Sequence, residues 1–304
     1  MTDFDLVVIG DCNPDLLVRG EEVVPQFGQA ERLVDEMKLT IGGSGGICAS
    51  GAARLGLRVA MVGVLGDDVF GQFMRESLAA RGVDVSAVRV DRQVPTGLTI
   101  HLLTEDDRAM LTHPGTIERL RAEDIDPAVL TSARHVHVSS YFLQSGLWDG
   151  LPGLLSLARS TGATTSLDPN WDPSGSWDRG LSRMSGLLSF LLPNGAEAIE
   201  LARAWPLAGP LAGAGREPGD CAPEPGDREA RPGPAGPRQA ALREPATPGE
   251  AACMLAAAGP TVAVKLGADG ALAASPGGRL VHVAAVPGLH PADSVGAGDS
   301  FDAG

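Results

Sequence analysis

Apolar positions along this chain fall into two rhythms. Residues 6–9, Leu-Val-Val-Ile, form a short β-branched run that ends at Gly10. An unbroken run of this kind predicts a strand buried on both faces. Small and apolar residues from 47 to 55, followed by Gly56, predict a helix closed by a glycine. A strand is predicted at 58–64. Residues 68–80 place Val69, Phe73 and Leu78 on one side of a helix that ends before Gly82. Strand and helix then keep alternating through 135–139, 151–160, 164–168, 187–192, 196–204, 251–258 and 261–266. This alternation predicts an α/β fold, a doubly wound and mainly parallel sheet with helices on both faces.

Two stretches leave the rhythm. Residues 96–104 and 108–112 flank Glu105-Asp106-Asp107 and predict a hairpin outside the main sheet. Lid segments at about 16–40 and 91–113 would form a small antiparallel β-flap. Residues 206–250 hold 10 Pro and 8 Gly among 45 residues, with no aromatic residue, Val or Ile. Such a segment buries too little apolar surface to offset the entropy of ordering it. It is predicted to be a low-complexity insertion within one domain spanning 1–304.

Composition narrows the partners. The chain has 304 residues, 43% of them apolar, which suffices for a large core. A net charge of −14 and a pI near 4.8 argue against a nucleic-acid binder or a protein held on an anionic membrane surface. No run approaches the length of a membrane span, and the acidic start Met1-Thr2-Asp3 does not resemble a signal peptide. Cys12, Cys48, Cys221 and Cys253 form no C-x-x-C pair, so they signal neither a zinc site nor a redox motif. Scattered thiols suit a reducing, cytoplasmic setting.

The densest chemistry lies at 293–299, Asp-Ser-Val-Gly-Ala-Gly-Asp. Gly296, Ala297 and Gly298 form a small-residue turn that can present backbone N–H groups to an anion at the start of a helix. Asp299 follows at once. An anion cradle beside a base is what phosphoryl transfer to a hydroxyl requires. At the other end, Gly10-Asp11-Cys12-Asn13-Pro14-Asp15 follows the first strand, where open α/β sheets bind ligands. Asn13 and Asp15 suit vicinal hydroxyls, and they serve equally as turn and cap residues. Ser166-Leu167-Asp168-Pro169-Asn170 ends another strand, where Pro169 would stop the strand and either pose both polar side chains at its tip or leave them to cap a turn. Asn194 and Glu197, three apart at a helix start, match either a capping box or a polar pair on one face. Glycines 42–46 lack the G-x-G-x-x-G spacing of a dinucleotide-binding oxidoreductase. Trp171, Trp177, His113 and His290 carry no chemistry of their own here. The two tryptophans are expected to pack.

Two long stretches resemble the signatures of ribokinase-type sugar kinases of the phosphofructokinase-B family. One runs from Gly42-Gly43-Ser44 through Ala53-Arg54-Leu55-Gly56 to Val62-Gly63-Val64-Leu65-Gly66-Asp67-Asp68-Val69-Phe70-Gly71, and the other is 293–299. The similarity extends from residue 6 to 304 apart from the insertion. It implies a ribokinase-like fold with a lid and ATP-dependent phosphorylation of a hydroxyl on a small sugar, a nucleoside being the less favoured acceptor. It implies Asp299 as base, with Gly296, Ala297 and Gly298 cradling the phosphoryl group. Asn13, Asp15, Gly42 and Gly43 would hold the acceptor, and Asn194, Lys265 and Gly267 the nucleotide. Glu197 would hold Mg²⁺ through water, and Asp293 and Ser294 a monovalent cation such as K⁺. The partner would be a small molecule, and lids of such enzymes often pair into homodimers. The chain departs from the pattern at Ile47, where many members carry a sugar-binding Asn. It also ends five residues after Asp299, short of the usual tail. The alternative is therefore a truncated, catalytically impaired sugar- or nucleotide-binding homologue.

Overall fold

The computed structural model describes residues 3–104, 107–205, 245–288 and 295–304. Its strands are β1 (Phe4–Ile9), β2 (Pro14–Arg19), β3 (Glu36–Ile41), β4 (Val59–Gly66), β5 (Val83–Asp84), β6 (Val88–Asp91), β7 (Leu98–Leu103), β8 (Arg108–His113), β9 (Ala133–Val138), β10 (Thr164–Leu167), β11 (Phe190–Leu191), β12 (Thr261–Lys265), β13 (Ala271–Ala274) and β14 (Leu280–Val283). Its α-helices are α1 (Ser44–Arg54), α2 (Val69–Ala80), α3 (Pro127–Thr131), α4 (Leu151–Ser160), α5 (Gly195–Ala204), α6 (Pro248–Ala256) and α7 (Ala297–Asp302). They divide into two compact units, Met1–Trp171 with Ala292–Gly304, and Asp172–Pro291.

In the first unit the main sheet runs β10-β9-β1-β4-β5, with β6 paired to the far end of β4. Every pairing in it is parallel. All eight residues of β4 are buried, because a central parallel strand is covered on both faces. On one face Leu6, Val8, Met61 and Leu65 meet Cys48, Ala49 and Ala52 of α1 and Met74 and Leu78 of α2. Each large side chain fully buried there contributes about 1.5–3 kcal/mol. Helix α4 occupies the predicted range 151–160 and buries Leu151, Leu154, Leu155 and Ala158, one helical stripe, against β9 and β10.

A second sheet, ordered β3-β2-β7-β8, contains the expected hairpin as β7 and β8. Its outer strands are antiparallel to their neighbours, and its central pair β2 and β7 is parallel. The chain enters β7 through Thr96, which is tied to the main sheet. Asp68 caps α2 by accepting the Gly71 N–H at 2.8 Å and also accepts the N–H (2.8 Å) and hydroxyl (2.7 Å) of Thr96. The Thr96 hydroxyl oxygen in turn accepts the Gly66 N–H at 2.8 Å. Partial burial opposes ionisation of Asp68, but these donors outweigh it and its carboxyl titrates below the usual range.

In the second unit β11 is parallel to β12, and β13 and β14 add antiparallel strands. Helices α5 and α6 pack on each other, and α6 on β12 and β13. The strand expected at 187–192 shrinks to two residues because Leu181–Leu187 is a 3-10 helix. Most of the Pro/Gly-rich segment, residues 206–244, lies outside the described residues. Cys12 and Cys48 are buried and in no disulfide, whereas Cys253 is disulfide-bonded rather than a scattered thiol as expected. Among the described residues no helix is long and apolar enough to cross a membrane.

One half-buried imidazole couples this fold to pH. His135 sits between the hydroxyls of Thr164 and Ser166, each 2.7 Å from a ring nitrogen. Burial pushes its pKa down to about 4. The unfolded chain takes up this proton near pH 6.5 and the native chain only near 4. Stability is therefore complete above about pH 6.5 and declines as pH falls through that window, by on the order of 3 kcal/mol at most. Urea denaturation from pH 7.5 to 4.5 should show this loss, and His135→Gln should remove it. An identical pH slope in the variant contradicts the assignment.

Candidate active site

Strand β1 hands the chain to Asp11, whose buried carboxylate organises the turn at the head of α1. It accepts the N–H groups of Ser44 (3.2 Å) and Gly45 (3.1 Å) and the hydroxyl of Ser139 (3.2 Å). The Asp11 carbonyl accepts the N–H of Gly46 at 3.0 Å. Helix α1 needs this help because its own N-cap, Gly43, has no side chain to offer. Burial raises the pKa of Asp11, and the hydrogen bonds from Gly45, Ser140, Ser44 and Ser139 oppose that rise. The approach is close: a Cβ on Gly45 would lie 2.6 Å from both the Asp11 carbonyl oxygen and Ser139 Oγ.

This cap draws four of the expected acceptor residues together. Gly43 has φ +67, and a Cβ on it would sit 3.0 Å from Asn13 Oδ1. A Cβ on Gly42 would collide with the carboxylate of Asp15. Asn13 and Asp15 are both buried, and Asn13 Oδ1 has no hydrogen-bond partner among the described residues. Across the second sheet, His101 Nε2 lies 3.2 Å from Asp15 Oδ2. Sequence reasoning missed His101. It stands in an alternating hairpin strand, where a polar residue reads as solvent-facing, yet it is buried.

At the tips of β9 and β10 the backbone is strained. Ser140 (φ 50) and Asn170 (φ 57) both adopt the left-handed conformation, at about 1–3 kcal/mol each. The Asn170 amide donates to Ser140 Oγ at 3.1 Å, and Asp168 Oδ1 accepts the Asn170 N–H at 2.8 Å. The turn reading of Asp168-Pro169-Asn170 is therefore met.

The glycine turn before Asp299 is built as its composition predicts. Gly296, at φ +72, is the N-cap of α7. A Cβ there would be strained and would lie 3.0 Å from Ile47 Cδ1. Ile47 thus forms a floor for the turn, and Gly51 of α1 meets Ala303 beyond the far end of α7. The first helical bond of α7 runs from Ser300 N–H to the Gly296 carbonyl at 2.9 Å. Ligand atoms of Asp168, Asp299 and Asp302 all lie within 4.8 Å of one another. Carboxylates this close repel, and an all-oxygen acidic set suits a hard divalent cation. Asp293, Ser294 and His290 lie outside the described residues.

The residues expected on the nucleotide side, Asn194, Lys265 and Gly267, belong to the second unit. Asn194 caps α5 through the Glu197 N–H (2.9 Å), and Glu197 Oε2 accepts the Asn194 N–H (2.8 Å). This is the reciprocal capping box that the spacing allowed. Lys265 ends β12, forms a parallel bridge with Asn194, and donates its N–H to the Pro193 carbonyl at 3.0 Å. Gly267, at φ +60, opens the turn that follows. Trp177 is buried as expected, but Trp171 is 56% exposed and does not fill a core. His113 is exposed on β8. An open groove of about 450 Å³ at the opposite, N-terminal edge of the main sheet, lined by Asp5, Arg134, His135 and Thr164 among others, shares no residue with these clusters.

A family profile described as pfkB family carbohydrate kinase matches residues 3–205 and 240–304. An ATP-dependent ribose-1-phosphate kinase of Halopiger xanaduensis is 30% identical over 162 residues, 53% of this chain and 52% of that protein. The chain spans about half the length of the curated relatives it matches. Among solved structures, a probable sugar kinase from Rhizobium etli superposes with TM-score 0.75 at 22% identity, covering 100% of this chain and 86% of that one. A putative ribokinase II from E. coli, in complex with ATP and Mg²⁺, gives TM-score 0.71 at 20% identity over 99% and 84% of the two chains. The fold is that of the ribokinase-like proteins.

The cap geometry generates a stability prediction. Asp11→Ala strands the Ser44 and Gly45 N–H groups and the Ser139 hydroxyl, and should cost about 2–3 kcal/mol in urea denaturation. Asp11→Asn, which keeps one acceptor oxygen, should cost less. A loss under about 0.5 kcal/mol for the alanine variant would show that α1 does not depend on this cap.

Proposed function

This chain belongs to the pfkB family of carbohydrate kinases, and from that membership we propose that it moves the γ-phosphoryl group of ATP to a hydroxyl of a small sugar or sugar-like acceptor. The carrying observation is the start of α7. A left-handed glycine, two further small residues and Asp299 stand in sequence there, with the Asp299 carboxylate in the same acidic cluster as Asp168 at the tip of β10. Strand tips of open α/β sheets are where ligands bind. The names of the relatives support the same reading, as does the E. coli neighbour holding ATP and Mg²⁺.

In this proposal Asp299 takes the proton of the acceptor hydroxyl. The freed oxygen attacks the γ-phosphorus in line, the bond to the bridging oxygen breaks, and ADP leaves. The N–H groups of Ala297, Gly298 and Asp299 stand in the first turn of α7, next to the left-handed Gly296. They are proposed to hold the oxygens of the transferring group. Asn13, Asp15, Gly42 and Gly43 hold the acceptor, and the four-stranded sheet, from segments 16–40 and 91–113, acts as a lid that keeps water out. Asn194, Lys265 and Gly267 serve the nucleotide. Mg²⁺ would offset phosphate charge, and the Asp168 and Asp302 carboxylates of the first unit would suit it; a role for Glu197 through water is proposed from the resemblance alone. A K⁺ requirement through Asp293 and Ser294 belongs to the same proposal and rests on resemblance alone.

ADP release measured over a panel of ketohexoses, pentoses, keto-deoxy acids and nucleosides should single out one acceptor class. With that acceptor, Asp299→Asn should retain ATP binding and lose at least about 10²-fold in kcat. Near-normal turnover in the variant would remove Asp299 as the base.

A further inference from the structure

We infer that His101 is a specificity-determining residue of the acceptor site, completing with Asp15 and Asn13 an array of hydrogen-bond acceptors that selects a neutral polyol through one particular hydroxyl. This rests on the kinase reading above and sharpens it to a substrate class.

The register places the imidazole. Strands β2 and β7 run parallel with Asp15 opposite Thr99 and Leu17 opposite His101. Side chains alternate along a strand, so Asp15 and His101 stand on one face of the sheet. They are 4% and 6% exposed, and their nearest polar atoms are 3.2 Å apart. The angle of that approach leaves both ring nitrogens of His101 without a hydrogen bond among the described residues, and Asn13 Oδ1 is equally bare there. Buried polar atoms are nearly always partnered, so three orphaned ones linked through Asp15, Gly42 and Gly43 are a departure that a ligand explains.

The chemistry of the three groups states what the ligand must offer. A carboxylate only accepts, and so does an amide oxygen. A small rotation lets His101 Nε2–H donate to Asp15, which leaves Nδ1 as a lone-pair acceptor in the neutral ring. Three acceptors call for three O–H donors, which neighbouring sugar hydroxyls supply. A carboxylate or phosphate in their place would face acceptors only. Lys38, in the same cross-strand row beyond Leu17, is exposed.

Calorimetry on the intact protein tests this without relying on phosphoryl transfer. D-ribose, D-fructose, adenosine and 2-keto-3-deoxy-D-gluconate are titrated first, then the monodeoxy forms of the tightest neutral ligand. One monodeoxy form should lose at least about 10-fold in affinity on the wild-type protein. His101→Phe should bind the parent sugar about 10-fold more weakly, bind that deoxy form equally well, and leave ATP affinity unchanged. Should His101→Phe fold poorly, His101→Gln replaces it, and the ¹⁵N resonance of His101 Nδ1 in the wild-type protein must move on adding sugar. Retained discrimination in the variant, an unmoved resonance, or tightest binding of the acid sugar overturns the role of His101 while leaving the kinase reading intact. Absence of binding by all four probes overturns both.

Discussion

A carboxylate buried just after the first strand holds the head of α1 and the tip of β9 in place. Asp11 is desolvated, which disfavours its charge, yet it is the cap that α1 lacks within its own segment. One side chain thereby joins three elements: β1, which it follows, α1, whose amides it accepts, and β9, followed by Ser139, whose hydroxyl donates to it. The geometry tolerates no bulk. A Cβ on Gly10 would strike Ser139, one on Gly63 would lie 2.9 Å from the Gly10 carbonyl oxygen, and Gly45 is equally confined. These glycines thus serve close packing around a charge.

Partnered and unpartnered polar groups separate two kinds of work. Asp68 and Thr96 satisfy each other and fasten the second sheet to the first. Asn194 and Glu197 satisfy each other at the head of α5. These residues are fully accounted for as architecture, whatever else they do. Asn13 Oδ1 and the His101 ring nitrogens are buried and bare, a state that costs stability unless a bound molecule answers it. Ile47 shows the converse, an apolar side chain where related kinases often carry a polar one. Its contact with the Gly296 turn gives it a mechanical part next to the proposed base.

The main elements could be read from the chain wherever burial imposed a regular rhythm. The unbroken apolar run of β4 and the stripe of α4 are direct consequences of two-faced and one-faced burial. The glycine turn before Asp299 was legible because few other residues adopt the conformation found at Gly296. What could not be read depends on contacts distant in sequence. Asp11 sits in a turn-like stretch, where an acid looks solvated, and its partners are some 33 residues or more away. His101 owes its burial to β2, far from it along the chain. Strands β13 and β14 are four residues each, too short to set a period against the alanines and glycines around them. The 3-10 helix at Leu181–Leu187 has no amphipathic signature to betray it.

The most direct test of the account is ³¹P NMR of the intact protein with ATP, Mg²⁺ and a mixture of free sugars. The account predicts a new phosphomonoester resonance growing in step with ADP and absent when the sugars are omitted. ATP left unchanged, or converted to ADP and inorganic phosphate alone, would contradict it.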